Sequence, residues 1–259
     1  MSRVQVVAVL LAGCGRLGFD VPPVAEAPDA AGEVAAPDAV VRLGPCGVTQ
    51  VPDPLSITGT TVDLPTFGSA QPTAGVSIEA STMLDGQPMA QTSSAEDGGY
   101  ALALPSGGEP VRAYITLRKP GMLPTVLVPD GPLDADLVAL YSPVTSDSTV
   151  SSLYLAGGVV RKSAAGTLGI MVVDCDGTPV PGAVVTVAPP PAAMLYTDDA
   201  GSACPSSDAT GAAGLVYALG VPLGTISVTA AKPGVTFFSH EITILDNTHV
   251  MGTRLRVVR

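Results

Sequence analysis

The chain has no tryptophan and only four phenylalanines and six tyrosines in 259 residues. Carbohydrate-binding faces stack sugars on exposed aromatic rings, so this poverty argues against a glycan-binding module. Two of the six, Tyr100 and Tyr217, also fall at strand positions expected to face a core. Histidine is confined to His240 and His249, which stand in no spaced cluster with Cys or paired acids; this excludes a histidine-rich metal site and leaves both as ordinary strand residues. Cations are scarce, 12 Lys and Arg against 23 Asp and Glu, for a net charge of -11. Nucleic acid is excluded as a partner, because phosphate neutralisation needs clustered Lys and Arg; the acidic surface is read as solubility. No Gly-x-Ser-x-Gly elbow, phosphate loop or dinucleotide fingerprint occurs, so nucleophile and cofactor chemistry have no anchor. The expectation is a protein that is not an enzyme and holds no cofactor.

A long apolar run is missing too. Val4–Ala12 is shorter than the roughly 20 residues a membrane-spanning helix needs, but it suits a signal-peptide core. The run ends in Leu11-Ala12-Gly13-Cys14, which resembles the lipobox of bacterial lipoproteins. That resemblance implies a signal peptide at 1–13, lipidation of Cys14 and attachment to a membrane through acyl chains. Each buried methylene contributes about 0.8 kcal/mol, so two or three chains hold a soluble domain firmly. Gly15, rather than Asp, follows Cys14, which in the enterobacterial pattern implies the outer membrane. Residues 14–54 are rich in Pro and Ala and carry Asp20, Glu26, Asp29, Glu33 and Asp38 against Arg16 and Arg42. Such a segment is expected to be a disordered, extended, self-repelling linker that acts as a stalk.

Beyond residue 54 the chain is built of short apolar alternations punctuated by Gly and Pro. Val76–Ala80, Tyr100–Leu104 and Val111–Arg118 place large apolar residues at every second position, and Asp85-Gly86, Asp97-Gly98-Gly99 and Ser106-Gly107-Gly108 supply turns between them. The pattern recurs from Thr167: Leu168, Ile170 and Val172 form one face of an opening strand, Asp176-Gly177 turns it, and strands are expected at 184–187, 215–219, 225–230, 241–244 and 253–258. A Pro-to-Gly step enters a strand in each half, at Pro72-Thr73-Ala74-Gly75-Val76 and at Pro179-Val180-Pro181-Gly182-Ala183, which suggests an internal repeat. Between the halves, Ser146-Asp147 precedes Val150, Leu153, Tyr154 and Gly157, the capping and spacing of one short helix, with Tyr141 and Tyr154 available to pack it on a sheet.

Asp97-Gly98-Gly99-Tyr100-Ala101-Leu102 in the first half resembles the turn and core signatures of carboxypeptidase regulatory-like domains. So do Asp176-Gly177-Thr178-Pro179-Val180-Pro181-Gly182-Ala183, Asp208–Gly214 and Val221–Gly224 in the second. The resemblance implies an all-β chain of two tandem antiparallel β-sandwiches of transthyretin-like or Cna-B-like (Ig-like, prealbumin-like) type, at 55–130 and 166–259, joined by a connector with a short helix at 131–165. It also implies accessory, spacer or adhesive roles. The expected protein is thus a non-catalytic lipoprotein of the cell envelope, touching the membrane through its lipid and contacting another envelope protein, with carbohydrate or adhesive binding as the alternative. The family also invites a Lys–Asn isopeptide bond, but Asn247 has no lysine facing it from 169–173, and Lys162 and Lys232 are misplaced.

Two local chemistries remain. Export to an oxidising compartment permits a disulfide among Cys46, Cys175 and Cys204. Cys175 with Cys204 is the favoured pair, worth roughly 3 kcal/mol by loop closure, while Cys46 bridged to either, or to a partner protein, stays open. Asp174 and Asp176, with Asp198 and Asp199 nearby, are weak calcium candidates; the competing reading is that Asp-Gly simply makes a tight turn.

Overall fold

The computed structural model describes residues 50–64, 70–84, 86–199 and 201–258. The expected signal peptide, Cys14, Cys46 and the linker as far as residue 49 lie outside them. In the first half the strands are β1 (Leu55–Asp63), β2 (Gln71–Pro72), β3 (Ser77–Ser81), β4 (Ala90–Ser93), β5 (Gly99–Leu104), β6 (Tyr114–Arg118), β7 (Thr125–Val128) and β8 (Leu137–Val144). Helix α1 (Asp147–Ala156) comes next, and then β9 (Ala165–Val173), β10 (Val184–Ala188), β11 (Ala193–Tyr196), β12 (Leu215–Pro222), β13 (Gly224–Ala231), β14 (His240–Ile244) and β15 (Val250–Arg256).

Alternation buries one face of each outer strand. Along β5, Tyr100, Leu102 and Leu104 are buried while Ala101 and Ala103 are exposed. Together with Leu55, Ile78, Ile115 and Leu117 they fill the core of the first sandwich. Leu168, Ile170 and Val172 of β9 fill the second, against Val185, Val187, Ile226 and Ile242.

The expected repeat is present at the level of single hydrogen bonds. In each half the first and last strands pair in parallel, β1 with β8 and β9 with β15. The Pro-to-Gly steps occupy equivalent places. Thr73 N donates to Thr61 O and Val180 N to Val172 O, both at 2.9 Å. Gly75 N donates to Ser94 O (3.1 Å) as Gly182 N does to Thr210 O (2.6 Å). The buried hydroxyl then closes both corners: Ser94 Oγ accepts from Val76 N and donates to Thr73 O, and Thr210 Oγ1 accepts from Ala183 N and donates to Val180 O. One strand departs, since β4 pairs with β3 whereas its counterpart β11 pairs with β12, the equivalent of β5, rather than with β10, the equivalent of β3.

The equivalent turn glycines Gly98 (φ +76°) and Gly214 (φ +63°) have left-handed backbone, and a Cβ there would lie 2.5 Å from Thr61 O and 2.6 Å from Val172 O. Gly98→Ala therefore combines a disfavoured φ with a backbone clash. It is expected to cost about 1–3 kcal/mol, read as a lower urea midpoint with an unchanged slope.

Two features differ from the expected tandem arrangement. Residues 131–165 are more than a connector, because β8 pairs along β1 and completes the first sandwich. And the halves share a sheet, an eight-stranded one of order β11-β12-β9-β15-β7-β6-β3-β4. The last strand, β15, lies between β9 and β7, parallel to both, from Val250 opposite Thr125 and Thr167 to Thr253 opposite Val128 and Ile170. Joining β15 to β7 satisfies backbone groups that two separate sandwiches would leave along exposed edges. Val126 and Val128 of β7 correspondingly pack in the second core.

The helix is capped as the sequence implies, with Ser146 Oγ accepting from Thr149 N at 3.1 Å. Val150, Leu153 and Tyr154 pack it on Leu195, Tyr217, Leu219 and Val250, on the outer face of the shared sheet. Tyr154 is 2% exposed, and its hydroxyl donates to Gly166 O (3.1 Å) and accepts from Gly220 N (2.9 Å). Tyr154→Phe strands both backbone groups, for an expected loss of about 1–3 kcal/mol by chemical denaturation.

Candidate functional site

A cleft lies where the outer face of the second sandwich's sheet meets β8 of the first. Its floor is set by alternation: with Leu168, Ile170, Met251 and Leu255 turned to the core, the intervening Thr167, Gly169 and Met171 of β9 and Val250, Gly252 and Arg254 of β15 face the cleft. In register, Thr125–Val250–Thr167 form one row across the sheet, Leu127–Gly252–Gly169–Tyr217 the next, and Arg254–Met171–Leu215 the third. The middle row has two glycines side by side, so β9 and β15 themselves raise no side chain there. A Cβ on Gly252 would lie 2.7 Å from Leu127 Cδ2, so Gly also lets β7's side chain close in. The opposite wall is Leu140, Tyr141 and Pro143 of β8, roofed at one end by Val150 and Leu153 of α1. The slot holds about 100 Å³ and shares Tyr141, Met171, Leu215, Tyr217 and Arg254 with an adjoining vestibule of about 350 Å³ that Ala203 also lines. Ala139, the non-glycine residue with left-handed φ (+54°) among the described residues, lines that vestibule next to the register shift between β1 and β8.

Polar groups stand at both ends. At one end of the slot, Arg256 makes a two-pronged ion pair with Asp130, Nε to Oδ2 at 2.6 Å and Nη2 to Oδ1 at 2.7 Å, with the carboxylate side chain 3% exposed. Burial alone would lower the Arg256 pKa, but the hydrogen bonds and charge of Asp130 raise it on balance. Arg254 is half-buried, and among the described residues nothing forms a hydrogen bond or ion pair with its guanidinium. Burial, and then the neighbouring charge of Arg256, push its pKa down. Burial pushes the Tyr141 phenol up to about 12 and the Tyr217 phenol up as well, so both remain neutral donors. At the other end, toward α1, the hydroxyls of Thr125 (1% exposed) and Thr145 (4%) are buried without a partner.

Behind the floor, Thr253 Oγ1 donates to Val128 O (2.8 Å) and so accepts from His240 Nε2 (2.8 Å), which leaves His240 Nδ1 bare, buried and without a partner. Burial lowers the His240 pKa below 6.5. The unfolded chain then binds a proton before the folded one, so stability is full above pH 6.5 and falls as pH drops below it, until the folded imidazole protonates too. His240→Phe is expected to flatten that part of a melting-temperature profile between pH 7.5 and 5.

Cys14 and Cys46 aside, the residues singled out from sequence take the following places. Asp174 Oδ1 accepts from the backbone N of Asp176 and Thr178, both at 2.9 Å, Asp198 Oδ1 from Ser202 N and Asp199 Oδ1 from Ala212 N. These carboxylates therefore cap turns, and among the described residues no three His, Cys, Asp or Glu side chains gather as a metal site. Cys175 and Cys204 are both disulfide-bonded. Cys204 N donates to Tyr196 O, level with Ile170 across β12, while Cys175 lies five residues beyond Ile170 in the turn after β9. His240 begins β14, but His249 lies in the loop before β15, its Nδ1 2.9 Å from Asp246 Oδ1, and is no strand residue. Asn247 accepts a hydrogen bond from Arg161 through its backbone oxygen. Tyr100 is buried in the first core, whereas Tyr217 is buried on the outer face of its sheet, against α1. Tyr154 and Tyr196 are buried too, which removes four of the six tyrosines as sugar-stacking platforms. Sequence reasoning misses the cleft itself, whose signal lies in the polar and glycine positions between the core residues of the two long central strands.

No protein family matches the chain by sequence, and no curated protein does. Among solved structures it is similar to the minor pilin GBS52 of Streptococcus agalactiae, with 10% identity and a TM-score of 0.26 over 79% of this chain and 97% of that one. It is also similar to the Bacillus anthracis TIE protein (11%, 0.25, over 78% of this chain and 34% of that one). A third is a major pilin subunit of Bacillus cereus (8%, 0.26, over 79% and 70%). The chain thus spans about a third of the TIE protein's length, and at these TM-scores the likeness carries no argument about its fold, partners or role.

Proposed function

We propose that this chain is a non-catalytic lipoprotein of the cell envelope. In this reading it is acylated at Cys14, stood off the outer membrane by the acidic linker, and serves as a spacer and protein-interaction module. The observation that best supports the module role is the sheet shared by both sandwiches, because a hydrogen-bonded ladder across the junction makes one stiff body where two linked domains would bend. The anchor is supported by Leu11-Ala12-Gly13-Cys14 and the apolar run before it. Labelling with a fatty-acid analogue and membrane fractionation test it: the parent chain takes up label and sediments with membranes, and Cys14→Ser takes up none and becomes soluble. A Cys14→Ser chain that still sediments with unchanged mass overturns the anchor. A detergent-solubilised pull-down that repeatedly recovers no partner overturns the interaction role. For the disulfide, Cys175 with Cys204 remains the proposed pair, and a non-reducing peptide joining either to Cys46 replaces it.

A further inference from the structure

The slot has three properties that need each other to make sense. Paired Gly169 and Gly252 put no side chain of their own on the floor, Arg254 stands at one end with no ion-pair partner in contact and only the more distant charge of Asp130 acting on it, and Thr125 and Thr145 present buried hydroxyls without partners at the other. Leaving two hydroxyls unsatisfied costs free energy, as does desolvating a cation. An occupant that met both ends would recover these terms, and the apolar walls between the ends ask for an apolar middle. From Val250 to Arg254 is four residues of strand, about 13 Å, enough for an extended chain on the order of ten carbons. A slot of about 100 Å³ spread over that length is narrow, suiting an unbranched chain rather than a ring system.

We propose that the slot is a binding site for a medium-chain hydroxy fatty acid, with its carboxylate on Arg254 and its far oxygen hydrogen-bonded by Thr125 and Thr145. Tyr141 and Tyr217, both neutral, border the mouth, and Tyr141 can donate a further hydrogen bond to the carboxylate. Asp130 makes its direct hydrogen bonds to Arg256 and acts on Arg254 only through its more distant charge, so the Arg254 guanidinium keeps its donors for the carboxylate. The site is independent of the Cys14 anchor, so failure of one leaves the other standing.

The test is calorimetric titration and thermal melting of the full chain with 10-hydroxydecanoate, decanoate and decan-1-ol. Saturable binding of 10-hydroxydecanoate is expected, about tenfold tighter than decanoate and at least about tenfold tighter than decan-1-ol, as charge-assisted and newly satisfied hydrogen bonds are lost in turn. Arg254→Gln should weaken both acids about tenfold and leave the alcohol unchanged. Thr125→Val should bring 10-hydroxydecanoate and decanoate to equal affinity. Gly169→Val fills the floor, and since the nearest atom to a Cβ there is 3.8 Å away it should melt at the parent's temperature while losing all three ligands. Absence of saturable acid binding, equal binding of acid and alcohol, or unchanged binding by Gly169→Val overturns the site. Equal binding of the two acids by the parent overturns the role of the threonines.

Discussion

Asp130→Ala is expected to destabilise the protein by about 3–5 kcal/mol, because it removes the carboxylate that meets the largely buried Arg256 guanidinium with two hydrogen bonds and leaves the more distant charge of Asp134 to offset it. For a folded part of this size that is a fall in melting temperature of roughly 6–20 °C. The pair joins the halves, Asp130 lying just after β7 and Arg256 ending β15, so the loss falls on the junction rather than on one core. Replacing both partners, Asp130→Leu with Arg256→Met, should recover most of the loss, since a matched apolar pair carries no desolvated charge. A scan in which Asp130→Ala melts within a degree or two of the parent would show the pair to be solvated and the junction looser than the two short contacts imply.

The second large effect tests the shared sheet. Leu117 is fully buried in the first core, and Leu117→Ala should cost about 2–5 kcal/mol. In a chain of independent tandem sandwiches, calorimetry would resolve two transitions and only the first would move. Here β7 is hydrogen-bonded to β15 and buries Val126 and Val128 in the second core. A single transition is therefore expected, displaced as a whole, with His240 and Tyr217 in the second half losing native NMR shifts at the same temperature as Tyr100 in the first. Two transitions, one unmoved by the substitution, would falsify the fused architecture.

Much of the fold is legible from local pattern. β5 reads directly as a strand because only one of its faces is buried, and the Ser146–Gly157 helix because its cap and apolar spacing are local signals. The Pro-to-Gly repeat is legible for the same reason, as each corner is closed by hydrogen bonds spanning few strands. β1 and β8 are harder. β8 mixes Leu137, Val138, Ala139 and Leu140 with Tyr141, Ser142 and Pro143 and shows no clean period, because it is paired with β1 on one side and borders the cleft on the other. β9 and β15 read only as half-buried strands, yet both faces are covered. Gly169, Gly252 and Arg254 therefore look like unremarkable outward positions until the other half of the chain is laid over them.

By itself the sequence determined an all-β chain with a repeated sandwich plan, turn chemistry at Gly98 and Gly214, and a capped helix between the halves, since all of these depend on neighbours within one strand or turn. Only the tertiary structure decided that β15 lies between β9 and β7, that Asp130 neutralises Arg256 and leaves Arg254 unpaired, and that two glycines meet across strands to hollow a slot. Those outcomes depend on pairings between residues 83 or more positions apart, such as Gly169 with Gly252 and Thr125 with Val250, and strand alternation carries no information about which distant strand becomes the neighbour.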